Sequence, residues 1–359
     1  MTWSDWLRPV LPTLPDMNSF WALVARVKKG RWRYQLQYFD QRWFLPLVAR
    51  LPLRLVYVLA NWRGAFNAYF SRDWAELAVG FPYVGERSAN AFREIVPLAS
   101  ESEIRRLVIQ RYRTASREDA DAWLAIRGRL DEIKMYLEPI RAALAKRVPG
   151  RGLVVVMSHY DNLFLGLVGI VRCGEAVYLM TSDIVLDPRV HPTVRDFFTV
   201  KYKRYEEQMG GGELLSTGAH ARASFYEVLR EGGIVAVVSE TPAGQASDKG
   251  TWVHWLGKRR KMADSALRMA IDTNSQIIGM RNFHTKPGHI AWEWSEMLDP
   301  TVHLDPSQQQ VREQIYGQIF SFLEAGIRRD PGRWWAAHLL EDFVVAQDGE
   351  YISKPNNSS

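Results

Sequence analysis

Between residues 43 and 147 apolar positions recur at helical spacing throughout. Ser100 and Glu103 form an S-x-x-E capping box that opens the run EIRRLVIQRYRTA. Leu130, Ile133, Met135, Leu137, Ile140 and Leu144 supply a buried stripe on a later helix. The stretch VPGRG at 148–152 ends this helical part. After it the period changes. LVVVM at 153–157 is a short continuous apolar run of the kind buried in a parallel sheet. A helix-like LFLGLVGIV follows, then strands AVYLM at 176–180, IVAVV at 234–238, QIIGM at 276–280 and HIAWEW at 289–294. Helical ASFYEVLREG precedes 234 and ADSALRMAIDT precedes 276. Strands alternating with helices predict an α/β fold with a mostly parallel central sheet flanked by helices. Residues 308–329 read as a further helix and ISKPNNSS as a disordered tail. The pattern divides the chain into a segment 1–42, a helical region 43–147, an α/β core 148–345 and a tail 346–359.

The most apolar early stretch, WFLPLVARLPLRLVYVLANW at 43–62, has the length of a bilayer span. Arg50 and Arg54 lie in its middle and Pro46 and Pro52 interrupt it. Each mid-membrane charge costs roughly 2.5–3.5 kcal/mol, so the stretch is a poor transmembrane helix. Ahead of it, Arg26, Lys28, Lys29, Arg31, Arg33 and Arg42 are interleaved with Trp21, Trp32, Tyr34, Tyr38, Phe39 and Trp43. That interleaving suits an anionic membrane face, and equally an ordinary packed helical segment. Nucleic acid, which stacking rings would also serve, is not expected as a partner. Met1 to Pro15, with Pro9, Pro12 and Pro15, lacks the cationic head and apolar core of a secretory signal.

Composition narrows the classes without choosing a function. At 359 residues the length prior points to about two domains. With 47% apolar and 24% charged residues, wholesale disorder and coiled coil are excluded. A single cysteine, Cys173, excludes a disulfide framework and a multi-cysteine metal centre. A net charge of +6 permits acidic partners without choosing among them.

Reactive groups in open α/β sheets collect at the carboxyl ends of strands. Two such ends carry unusual residues. His159 lies in the turn after LVVVM, within SHYDN, and Glu240 lies just after IVAVV. Histidine is matched to general-base work near neutral pH, and a carboxylate beside it holds its tautomer. Plain structural roles stand beside these: a hydrogen-bonded turn histidine, a turn glutamate, and Asp161 with Asn162 as caps of the next helix. Gly210-Gly211-Gly212 lacks the Lys-Ser/Thr of a phosphate loop and reads as a loop. Lys258, Arg259, Arg260 and Lys261 read either as a solvated basic loop or as a site for an acceptor phosphate or an acidic carrier protein. Leu163, Phe164 and Leu167 can wall an acyl-chain pocket or simply pack a core.

Several blocks between about 45 and 340 resemble the lipid A late acyltransferases of the lauroyl/myristoyl type, within the lysophospholipid acyltransferase superfamily. They are RLPLRLVYVLANWRG, RSANAFREIVPLASESEIRRLVIQRY, GRGLVVVMSHYDNLFLG, LREGGIVAVVSETPAG with the following GTWVHWLGKRRKMADSALRMAIDTNSQIIGM, and RRDPGRWWAAHLL with Pro331 and His338. The resemblance implies transfer of an acyl group from an acyl-carrier-protein or coenzyme A thioester to a hydroxyl or amine, on a lipid A-type or other glycolipid acceptor. It implies no metal and no further cofactor, and a place at the cytoplasmic face of an inner membrane. His159 takes the family's catalytic position. The family's motif is His, four residues, then Asp or Glu, and here Phe164 stands at the acidic place. Glu240 matches an acidic position on the neighbouring strand and is the expected partner, with Asp161 second. The departure also admits recruitment to a specialised natural-product pathway, or a non-catalytic membrane-binding scaffold of the same fold.

Overall fold

A computed structural model describes residues 32–79, 83–181, 185, 190–216, 219–240, 242, 250–300 and 309–346. Most of the aromatic and basic segment and nearly all of the expected tail lie outside the described residues. The strands are β1 (Lys134–Met135), β2 (Leu153–Met157), β3 (Val177–Thr181), β4 (Leu214–Ser216), β5 (Ile234–Val238), β6 (Thr251–Trp255), β7 (Lys258–Met262), β8 (Gln276–Lys286) and β9 (His289–Trp294). Among the described residues the main sheet runs β1-β9-β8-β2-β5-β3-β4, with β6 and β7 as a separate hairpin. Every neighbouring pair in the main sheet is parallel except β8 with β9.

β2 sits in the middle because all five of its side chains are apolar and the sheet is covered on both faces. Alternation then splits them. Leu153, Val155 and Met157 join one core with Leu167, Phe197 and Trp292, while Val154 and Val156 join another with Leu229, Leu267 and Phe320. Each such buried side chain contributes about 1.5–3 kcal/mol.

The helical region meets the sheet where Asp121 takes Asn162, just after β2, and Tyr57 lies against His284 of β8. The expected box at Ser100 is formed: its side chain accepts from the Glu103 amide, and the Glu103 carboxylate takes the Ser100 amide at 2.8 Å. The helix it opens, Glu101–Ile126, packs against the helix Leu53–Tyr69. Gly64 is required there, since a Cβ would lie 2.4 Å from Arg113 Cα.

Two expectations are corrected. Residues 130–144 are not one helix but a short 3-10 turn at Leu130–Glu132, then β1, then a helix Glu138–Leu144. Pro139, with no amide hydrogen, begins a helix and cannot continue one, and Lys134–Met135 instead pair with β9. The basic run Lys258–Lys261 is strand rather than solvated loop. Its alternation turns Arg260 inward, where it is 1% exposed and bonds Trp255 O at 2.6 Å.

The stretch 43–62 breaks at Pro52, and the helix that follows leaves an apolar stripe uncovered. Leu55, Val58, Trp62, Phe66 and Tyr69, on one face by their spacing, are all exposed, Trp62 and Tyr69 by about three quarters (74% and 76%). Among the described residues no helix is long and apolar enough to cross a membrane.

Candidate active site

Register brings the two unusual strand ends together. Met157 pairs with Val238 at the ends of β2 and β5, so two residues further on His159 and Glu240 lie side by side. The Glu240 carboxylate is 1% exposed and accepts three hydrogen bonds. His159 Nδ1 lies 2.8 Å from its Oε1, and the His159 amide donates to the same oxygen. Trp334 Nε1 donates to Oε2 at 2.7 Å. Three donors directed at one buried carboxylate keep it in place. An ionised carboxylate against Nδ1 requires the proton on Nδ1 and leaves the lone pair on Nε2. Trp335 closes the ring's other side, edge-on with centroids 4.4 Å apart, and its amide donates to the His159 carbonyl at 3.1 Å.

His159 retains about a fifth of its side-chain surface (22%) and lines a cavity of about 440 Å³ at the carboxyl ends of β3 and β5. That volume is within the ordinary range of small-molecule sites. Leu179, Val237 and Val238 contribute from the strands, Ser239 from just beyond β5, and Leu163 and Phe164 from the helix Leu163–Val171. Leu167 does not line the cavity and is core.

Phe164 occupies the place where the resembled motif has its acid. It is stacked on Tyr205 at 4.5 Å, and Lys201 Nζ lies 4.9 Å from its ring centre. The ammonium is neutralised by Glu118 at 2.6 Å. Phe164 thus presents a ring to the cavity.

Asp161 faces away from the dyad. With φ of 56° it turns to β8, where His284 Nδ1 lies 2.7 Å from one of its oxygens and the His284 amide donates to the other at 3.0 Å. Burial alone would raise the Asp161 carboxyl, but His284, with the charges of Arg117 and Arg333, holds it far below the usual carboxylate range. The cap of the following helix is Asn162 alone, whose Oδ1 accepts from the Leu165 amide at 3.1 Å. Asn162 Nδ2 donates to Asp121, which also accepts from Tyr57 at 2.6 Å. This buried set of Tyr57, Asp121, Asp161, Asn162 and His284 braces the turn that carries His159. Lys258, Arg259 and Arg260 do not line the cavity: Lys258 and Arg260 pair with Glu94, and Arg259 with Glu313. His338 is buried beside Arg111, and burial together with that charge pushes its imidazole down to about 3.

Sequence reasoning passed over Trp334, Asp121 and His284. The only signal for the first was the RRDPGRWWAAHLL block, and the other two lie on a helix and a strand with nothing local to mark them.

No protein-family model matches the chain, and no curated protein matches it. Among solved structures, the crystal structure of the 1-acyl-sn-glycerophosphate acyltransferase PlsC from Thermotoga maritima is similar at 17% identity, over 75% of this chain and 97% of that one, with a TM-score of 0.34.

Proposed function

We propose that the protein is an acyltransferase that moves an acyl group from an acyl-carrier-protein or coenzyme A thioester to a hydroxyl or amine. One observation carries this reading: a histidine whose Nδ1 is held by a buried carboxylate, at the carboxyl ends of parallel strands, opens on a partly apolar cavity. In the proposed step the acceptor attacks the thioester carbonyl carbon as His159 Nε2 takes its proton. The oxyanion collapses, the C–S bond breaks, and the proton passes to the departing thiolate. Glu240 stabilises the imidazolium between those events. The amides of Leu163 and Phe164, which open the helix Leu163–Val171 and have no intrahelical partner, would serve as donors for the oxyanion. The amides of His159, Asp161 and Leu165 are already committed.

The apolar stripe of the helix Leu53–Tyr69 supports peripheral attachment to a lipid surface. Its Trp and Tyr and the adjacent exposed Arg50 and Arg54 are the residue types that seat a helix at headgroup level. The sequence blocks imply a glycolipid acceptor, whereas recruitment to a specialised pathway would bring a different one.

Thiol release from acyl thioester in the presence of an acceptor panel tests the reaction. His159→Ala is expected to lower turnover by about 10²–10⁴-fold, the usual contribution of a positioned base. Turnover retained in His159→Ala removes the mechanism, and silence of the intact protein with every acceptor favours a scaffold.

A further inference from the structure

The cavity has two unlike ends. Around Phe164, Leu179 and Val194 it is apolar and suits hydrocarbon, whereas the wall formed by residues 63–74 and the helix Glu101–Ile126 is charged. Most of those charges are matched. Arg63 takes Asp40 at 2.7 and 2.9 Å and Asp119 at 2.9 Å; Arg111 takes Asp73 at 2.5 Å; Lys201 takes Glu118.

Arg72 is the most loosely held of these cations, its ion pair with Asp40 spanning 3.4 Å. It is 5% exposed, yet its contacts are long, 3.3 Å to Gln37 and 3.4 Å to an Asp40 that Arg63 already engages. Burial pushes its guanidinium down to about 10. Its Nε has no hydrogen-bond partner among the described residues, nor has Oδ1 of Asn67, also 5% exposed. The two residues are tied together by the Arg72 amide, which donates to the Asn67 carbonyl at 2.9 Å, and both line the cavity. Lone arginine Nε atoms recur elsewhere among the described residues, but here an orphan donor and an orphan acceptor sit on two hydrogen-bonded residues of one cavity wall, and that pairing points to a ligand.

The guanidinium edge matches the paired oxygens of an oxyacid. Charge limits which oxyacid. Asp40, Asp73, Glu118 and Asp119 already balance Arg63, Arg72, Arg111 and Lys201 one for one, so the wall takes one added negative charge more readily than two. A phosphate monoester carries close to two negative charges near neutrality, a carboxylate one.

We propose that Arg72 and Asn67 anchor the acyl acceptor, Arg72 holding a carboxylate and Asn67 Oδ1 accepting a neighbouring N–H or O–H, so that the acceptor is a small amino or hydroxy carboxylic acid. This rests on the acyl-transfer reading and names its substrate class. The neutral amine or hydroxyl of the acceptor forms the new C–N or C–O bond as the thioester C–S bond breaks. Its proton travels through His159 to the thiolate, leaving an acylated acid and a free thiol.

The test uses the full chain with a medium-chain acyl-coenzyme A and the matching acyl-carrier-protein. Amino and hydroxy acids are each paired with their carboxamides, and phosphoethanolamine and glycerol 3-phosphate provide the phosphate arm. The acids are expected to exceed their amides about 10- to 100-fold in kcat/KM, the scale of a hydrogen bond to a charged group. Arg72→Gln is expected to bring that ratio near one, with Arg72→Lys between. Equal use of acids and amides by the unaltered protein, or preference for the phosphate compounds, overturns the proposal even if the variants do not fold. Should no acceptor release thiol, hydrogen exchange of residues 63–74 with the acids and amides separates the two readings. Protection by acids alone keeps the subsite while the acyl-transfer reading fails, and no protection overturns both.

Discussion

Replacing Glu240 by Gln tests the dyad with almost no change of volume. The native carboxylate accepts from the His159 amide and Nδ1 on one oxygen and from Trp334 Nε1 on the other. A carboxamide has one acceptor oxygen and one amino group, so it cannot serve both sides. If its oxygen faces His159, its amino group meets the Trp334 N–H, donor against donor, at a separation of about 2.7 Å in the native geometry. If its amino group faces His159, Nδ1 must become the acceptor and the proton moves to Nε2, the nitrogen that has to act as base. The second arrangement disables the base and the first strains the pocket, and either loses the negative charge that stabilises the imidazolium. Loss of the equivalent carboxylate in a serine protease slows turnover on the order of 10⁴-fold, about 5.5 kcal/mol of barrier. The same scale is expected here for kcat, with KM for the thioester little changed. The assay is thiol release under saturating donor, with circular dichroism and a urea transition to establish that the variant is folded. A folded Glu240→Gln protein within about threefold of the parent turnover refutes the proposed role of Glu240.

Two further outcomes follow from other parts of the molecule. Val58→Ser with Trp62→Ser removes part of the exposed stripe, and a fully sequestered apolar side chain is worth about 1.5–3 kcal/mol. Co-sedimentation with phosphatidylglycerol vesicles should then fall at least about tenfold in partition; unchanged sedimentation denies the stripe a role. His338 is buried neutral, with its imidazole pushed down to about 3 from the ordinary 6.5. The unfolded chain therefore binds a proton that the folded one refuses. The stability this contributes is complete above pH 6.5 and is lost as pH falls toward 3, with a ceiling of about 4–5 kcal/mol. His338→Asn should flatten the slope of unfolding free energy against pH in that window, measured by urea denaturation, and an unaltered slope would assign the pH dependence to other groups.

Much of the fold and one half of the site were legible in order along the chain. LVVVM, IVAVV and QIIGM reveal buried parallel strands because a strand covered on both faces has no polar positions to alternate with. His159 and Glu240 were each legible as strand-end residues, and Ser100 with Glu103 as a cap, since a cap is an interaction across three residues. The interactions that tertiary structure alone decided span long separations. Glu240 meets His159 because β5 lies beside β2 in a level register, and Trp334 reaches that carboxylate from ninety-four residues further along. Asp161 has the local credentials of a cap, yet its backbone turn delivers it to His284, a strand residue 123 positions away. The alternation that buries Arg260 follows from the hairpin pairing of β7 with β6, which a run of four cations disguises as a solvated loop. Local pattern reports which residues leave water and with what period. Which buried charge finds which partner depends on strand order and register, and those are set by the packing of the whole chain.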